Sequence, residues 1–369
     1  MPRILLVFGT RPEAIKMAPL VRVLEEHPDF EAVTCVTAQH REMLDQVLDW
    51  FHIAPDYDLN LMQPNQTLAG LTARALESIT GVIEQVQPDA VLTQGDTTTA
   101  MTTALAAFYL RVPVGHVEAG LRTYNLYNPF PEEVNRHLIS VMATYNFAPT
   151  ATARDALLRE GVDPASIFVT GNTVIDALQW TVAQPHHLTI DVPLGVPGER
   201  LILVTAHRRE SFGPDFESIC RALRQIVERN TGVRLIYPVH LNPNVQEPVY
   251  RILSGMERVH LIAPLPYPDF AHLMARAALV ITDSGGLQEE APALGKPVLV
   301  MRATTERPEA VAAGTARLVG TETADIVAAA EELLRDPAAY AAMANAVSPF
   351  GDGHAAERIA DILLRELGG

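Results

Sequence analysis

The stretch "AVLTQGDTTTAMTTALAAFYLRVPVGHVEA" occupies residues 90–119. It begins as an apolar run, breaks at Gly95-Asp96, enters a helical pattern opened by three threonines, and returns to a second apolar run at 112–119. A short buried strand, a turn and a helix leading to another strand is the βα alternation of a parallel sheet covered on both faces by helices. The same phrase recurs upstream and downstream, in "ILLVF" (4–8), "AVTCVT" (32–37), "YNFAP" (145–149) and "IFVTG" (167–171), each followed by a helical pattern such as "PLVRVLEE" or "TARDALLREG".

From Ala183 to Glu199 the text becomes "AQPHHLTIDVPLGVPGE", punctuated by prolines and without periodicity, which reads as an interdomain linker. Alternation then restarts in "LILVTA" (201–206), "VRLIYPVH" (233–240), "VHLIAP" (259–264), "LVITDSG" (279–285), "PVLVM" (297–301) and "ARLVG" (316–320). The expectation is an α/β protein of two doubly wound domains, 1–184 and 200–348, joined by the linker 185–199. An amphipathic helix follows in 349–369. Two such sheets facing each other define a cleft lined by the loops at the strand C-terminal ends, where open α/β sheets bind ligands.

Composition excludes several function classes. The 369 residues are 48% hydrophobic, enough for two substantial cores, and the formal charge of −16 repels phosphate backbones and anionic lipid. Nucleic acid and membrane surfaces are therefore not expected partners. Two cysteines far apart indicate neither a disulfide scaffold nor a CxxC site and suit the cytoplasm, and no run approaches the ~18 apolar residues of a membrane span. No paired Cys/His spacing suggests a metal, and "FGTRPE" after the first strand is not the GxGxxG of a dinucleotide site, so no cofactor is expected.

Charged residues gather after the strands. Arg11 and Lys16 flank the start of the first helix, a position whose dipole favours acids, so these cations are expected to face an anion. Ser284-Gly285-Gly286 offers a strand-to-helix turn where backbone N–H groups and a hydroxyl converge, suited to phosphate; the bland alternative is a tight turn with Asp283 or Ser284 as N-cap. Asp96, Glu118 and the pair Glu132-Glu133 are candidate acid–base groups, because carboxylates at such places can lose hydration and be pushed toward a neutral pKa. Their bland alternatives are an N-cap for Asp96, an ion pair with Arg122 for Glu118, and dipole partners for the glutamates. His207 follows its strand with Arg208 and Arg209.

Taken together, "GTRPEAIKMAPL", "TAQHREMLDQVL", "QGDTTTA", "HVEAGLRT", "NPFPEEVNRH", "TAHRRESFG", "YPVHLNPNV", "TDSGGLQEEAPALGKPVLVMR" and "TTERPEAVAAGT" resemble the non-hydrolysing UDP-N-acetylglucosamine 2-epimerase family, in order, from residue 9 to about 315. The resemblance implies two Rossmann-like domains of the B-type glycosyltransferase arrangement, a C-terminal helix returning to the first domain, and a homodimer. It implies interconversion of UDP-GlcNAc and UDP-ManNAc without NAD, through loss of UDP to 2-acetamidoglucal and re-addition on the other face. The product would serve surface polysaccharide synthesis.

Carried over residue by residue, it places Asp96, Glu118, Glu132 and His207 at the reacting sugar. Arg11 and Lys16 fall in an anion site, and Ser284, Gly285, Gly286, Glu290 and Arg307 around the UDP, with Glu290 on ribose hydroxyls. A second, activating substrate site in some members corresponds to Gln39, His40, Gln66, Arg208 and His240, together with Glu132; this chain carries Glu42 and Asn65 where regulated members carry Gln and Arg. The competing readings are a UDP-sugar glycosyltransferase in the same cleft, a hydrolysing epimerase, and a binding regulator that keeps the phosphate residues without the carboxylates.

Overall fold

The computed structural model describes residues 1–38, 41–63, 66–194 and 197–368. Two compact units emerge: Met1–Ala177 together with the chain from Phe350 onward, and Leu178–Pro349. Among the described residues no helix is long and apolar enough to cross a membrane.

The first unit is a parallel sheet of seven strands, β1 (Arg3–Phe8), β2 (Glu31–Val36), β3 (Tyr57–Asp58), β4 (Ala90–Gln94), β5 (Val114–Val117), β6 (Tyr145–Ala148) and β7 (Ile167–Val169), in the order 3-2-1-4-5-6-7. Its crossover helices are α1 (Arg11–Glu26), α2 (Arg41–Phe51), α3 (Leu68–Val86), α4 (Thr98–Tyr109), α5 (Glu132–Met142), α6 (Ala151–Arg159) and α7 (Thr173–Ala183). Leu5 of β1 lies between Val33 of β2 and Val91 of β4, and Leu5 and Val91 are wholly buried. Both faces of the central strands are covered, so they read as continuous apolar runs, each such side chain gaining roughly 1.5–3 kcal/mol from burial.

The helices start where the sequence provides caps. Thr97, the first of the three threonines after Gly95-Asp96, is the N-cap of α4 and accepts the Ala100 N–H at 3.1 Å. Thr10 and Glu13 form a reciprocal capping box at α1, with Pro12 in its first turn.

The second unit repeats the plan with β8 (Arg200–Thr205), β9 (Val233–Pro238), β10 (Val259–Ile262), β11 (Leu279–Thr282), β12 (Val298–Val300) and β13 (Ala316–Leu318), ordered 10-9-8-11-12-13. Helices α8 (Pro214–Arg229), α9 (Pro243–Leu253), α10 (Tyr267–Arg276), α11 (Leu287–Ala293), α12 (Pro308–Ala312), α13 (Thr323–Arg335) and α14 (Pro337–Ala344) accompany it. Both sheets have the 3-2-1-4-5-6 order of the dinucleotide-binding fold, and each reverses direction between its first and fourth strands, where such sheets place ligands.

Helix α15 (Ala355–Leu367) returns to the first unit and packs on α1. Buried Asp176 of α7 accepts the Ala356 N–H at 2.8 Å, and the Asn172 N–H donates to the Phe350 carbonyl at 2.7 Å. The boundary between the units falls inside α7, ahead of the proline-rich stretch read as the linker. That stretch is tied down within the second unit: His186 Nε2 lies 2.5 Å from Oδ1 of buried Asp269 on α10, and Thr189 donates to its other oxygen.

Candidate active site

At the reversal point of the first sheet, three loops meet. The β1–α1 loop is fixed by Glu13, whose buried carboxylate accepts N–H groups of Gly9 (3.1 Å) and Thr10 (2.7 Å) and the Thr97 hydroxyl at 2.6 Å. Burial raises its pKa, against those hydrogen bonds. A Cβ on Gly9 would run into Thr37 Oγ1 and come within 2.8 Å of Thr99 Oγ1, so the close passage of these loops admits only glycine.

Glu118 follows β5 with φ +66°, an uncommon conformation for a non-glycine residue and one that gathers at functional sites. Its carboxylate is 2.6 Å from Lys16 Nζ at both oxygens, 3.0 Å from Asn172 Nδ2, and bonded by Gln94. Asp96 follows β4, where Gly95 adopts φ +73°. The Asp96 carboxylate pairs with Arg136 at 2.7 Å, and its carbonyl accepts Asn135 Nδ2 at 2.8 Å. A pocket of about 340 Å³ opens here, lined by Thr10, Gln66, Asp96, Thr97, Glu132 and Asn135 among others.

These contacts correct the bland alternatives. Asp96 is not the cap of α4, since Thr97 is, and the partner of Glu118 is Lys16, while Arg122 binds Glu160. The expectation that lost hydration raises the pKa fails for Glu133. Burial pushes it up, but N–H groups of Thr123 and Tyr124 and the Arg136 guanidinium outweigh that and hold it below the usual range.

In the second unit the residues cluster around Asp283, after β11. Wholly buried, it accepts the N–H groups of His207 (2.6 Å) and Arg208 (2.7 Å), tying the β8 loop to the β11 loop. It caps no helix; Gly286 stands at the start of α11 without a side-chain cap. The His207 ring stacks on His240 with centroids 5.3 Å apart, and its pKa is lowered by burial, with His240 and Arg208 adding and Asp283 opposing.

Ser284, Gly285 and Gly286 form the turn into α11. A Cβ on Gly285 would lie 3.7 Å from Arg208 Nη2, and one on Gly286 would lie 3.2 Å from Glu290 Oε1, so arginine and glutamate flank a bare backbone ledge. Arg307, read from the sequence as a UDP contact, donates to buried Glu289, and Arg208 faces Glu306 at 3.6 Å. Arg302, close to that glutamate, holds its carboxyl down to about 2 against burial.

Each unit thus carries expected residues after the C-terminal ends of its own strands. Over residues 22–364 the chain matches the family model described as UDP-N-acetylglucosamine 2-epimerase. It is 57% identical to the UDP-N-acetylglucosamine 2-epimerase of Escherichia coli K12 over 98% of each chain.

The chain belongs to the UDP-N-acetylglucosamine 2-epimerase family.

Among solved structures of that family, the enzyme from Neisseria meningitidis bound to UDP-GlcNAc is similar at TM-score 0.88 and 48% identity, covering 98% of this chain and all of the other. The one from Methanocaldococcus jannaschii in complex with UDP-GlcNAc and UDP gives TM-score 0.78 and 32% identity over 98% and 99% of the two chains. These relatives carry the two-domain α/β fold expected from the sequence. Gln39 and His40 of the second-site set lie outside the described residues, whereas Gln66 lies on the pocket that holds Asp96 and Glu132.

Sequence reading missed the groups that hold the site in shape. Gln94, Arg136 and Asn172 went unassigned although each bonds a candidate catalytic carboxylate. Two of them had a usable signal: Asn172 follows the end of β7, and Arg136 stands one helical turn after Glu132 inside "NPFPEEVNRH".

Proposed function

We propose that this protein inverts C2 of UDP-N-acetylglucosamine, reversibly forming UDP-N-acetylmannosamine, with the first unit supplying the acid–base groups and the second the nucleotide contacts. The observation that carries the reading is the placement of Asp96, Glu118 and Glu132 at one sheet edge beside Lys16 and Arg136, within a family whose Neisseria member binds UDP-GlcNAc.

C2 of the sugar carries no adjacent carbonyl, so direct deprotonation has no stabilised product. Elimination avoids this. A carboxylate takes the C2 proton, the C–H electrons form the C1=C2 double bond, and the C1–O pair leaves with UDP, giving 2-acetamidoglucal. In the return step a UDP oxygen rebonds to C1 and a proton is delivered to the opposite face of C2. Two carboxylates suit the two faces, and Asp96 and Glu118 are assigned to the proton transfers with Glu132 as a third acid–base or positioning group. Charge develops on the departing diphosphate, and Arg11, Lys16 and His207 are assigned to it.

Ser284, Gly285, Gly286 and Arg307 are assigned to UDP, and Glu290 to ribose hydroxyls. Gln66, Arg208 and His240 are candidates for a second substrate site. A homodimer working in the cytoplasm and feeding polysaccharide synthesis completes the reading; both cysteines are buried and unpaired, as a reducing compartment allows.

The test is Asp96→Asn: epimerisation is expected to fall about 1,000-fold with UDP binding and thermal stability retained. Near-normal turnover would remove Asp96 from the mechanism.

A further inference from the structure

The Gly95-Asp96 turn is braced from behind by His116, a buried residue of β5 two positions before Glu118. Its Nε2 lies 2.7 Å from the Gly95 carbonyl oxygen. A ring nitrogen facing a carbonyl must carry the proton, so Nε2 is the N–H and Nδ1 the bare acceptor. Nδ1 is buried and makes no hydrogen bond, a cost that an apolar side chain of similar size would avoid. What histidine offers in exchange is the N–H to Gly95. Burial lowers its pKa to about 4, which keeps the ring neutral in that tautomer.

Three neighbouring groups of the turn have tethers of their own. The Gly95 N–H donates to Val117 O at 3.0 Å, the Asp96 carbonyl accepts Asn135, and the Asp96 carboxylate meets Arg136. His116 reaches the Gly95 carbonyl from the strand that leads into Glu118. We propose that His116 is a positioning residue for epimerisation: its Nε2–H fixes the Gly95 carbonyl and thereby the aim of the Asp96 carboxylate relative to Glu118.

The inference rests on Asp96 serving as an acid–base group, so Asp96→Asn is assayed alongside His116→Leu and His116→Gln. Glutamine places an amide N–H near the Nε2 position, whereas leucine has no donor. His116→Leu is expected to lower kcat about 100-fold with KM for UDP-GlcNAc little changed, and His116→Gln to recover at least about tenfold of that. With Asp96→Asn inactive, a leucine variant within about threefold of normal kcat, or a glutamine variant no better than leucine, overturns the positioning role. An active Asp96→Asn protein removes the premise instead, whatever the histidine variants do. Should the leucine variant not fold, nitrogen-15 NMR of the His116 ring in the unsubstituted protein decides: an Nε2–H tautomer persisting from pH 8 to 5 supports the proposal, and an Nδ1–H tautomer overturns it.

Discussion

Lys16 Nζ sits 2.6 Å from both carboxylate oxygens of Glu118, joining the second turn of α1 to the loop after β5. Lys16, proposed to stabilise the departing diphosphate, also pairs with this protein anion, whose side chain is largely screened from water. Replacing Lys16 by Met leaves Glu118 with Gln94 and Asn172 but without its counter-charge. Breaking such a pair is expected to cost about 3 kcal/mol of stability and to lower kcat about 1,000-fold. Denaturant unfolding and steady-state kinetics on the one variant measure both.

His116 also makes a pH prediction. Burial lowers its pKa in the folded protein to about 4, below the ordinary histidine value of about 6.5, so between those values the unfolded chain binds a proton that the folded protein refuses. The stability this group allows is fully present above pH 6.5 and is lost as pH falls through 4, on the order of 3 kcal/mol in all. Urea unfolding at pH 7.5 and 5.0 is expected to show a smaller loss on acidification for His116→Gln than for the unsubstituted protein.

Gly9→Ala should be costly although only one methyl is added. The methyl would press on Thr37 and Thr99, whose hydroxyls are bonded to each other at 2.9 Å inside the first unit. A loss of roughly 1–3 kcal/mol is expected from overpacking, together with reduced kcat, since the loop that moves carries Thr10 and leads into Arg11 at the start of α1. Thermal unfolding of the variant checks the first and an epimerisation assay the second.

Asp283→Ala would free the N–H groups of His207 and Arg208 and loosen the β8 loop against the β11 loop. UDP affinity is expected to fall at least about tenfold, equivalent to about 1.4 kcal/mol. Calorimetric titration with UDP tests this, and unchanged affinity would detach this loop pair from the nucleotide.

The two sheets were legible because their strands are buried on both faces and their helices are announced by threonine, proline and glycine at fixed places. β3 carries no sequence signal, since Tyr57–Asp58 is too short to show a pattern and is defined by its pairing with β2. The candidate site was legible as a list of charged residues after strands, but not as a set of pairs. Nothing in "GTRPEAIK" tells Lys16 that its partner is 102 positions away, and nothing in "VTGNTV" sends Asn172 to the same carboxylate. Such pairings follow from strand order, and a sheet whose first strand lies beside its fourth brings distant loops together. Glu133 failed as a candidate for upward tuning for the same reason: the donors that hold it down arrive from a loop with no periodic signature.

Cofactor-free inversion of C2 requires cleavage of the C2–H bond. Proton NMR of the purified protein with UDP-GlcNAc in D2O, without NAD or added metal, follows this cleavage through the C2 proton and the anomeric signals. UDP-ManNAc is expected to appear with deuterium at C2. Free ManNAc with UDP, or UDP-ManNAc that keeps its protium at C2, would contradict it.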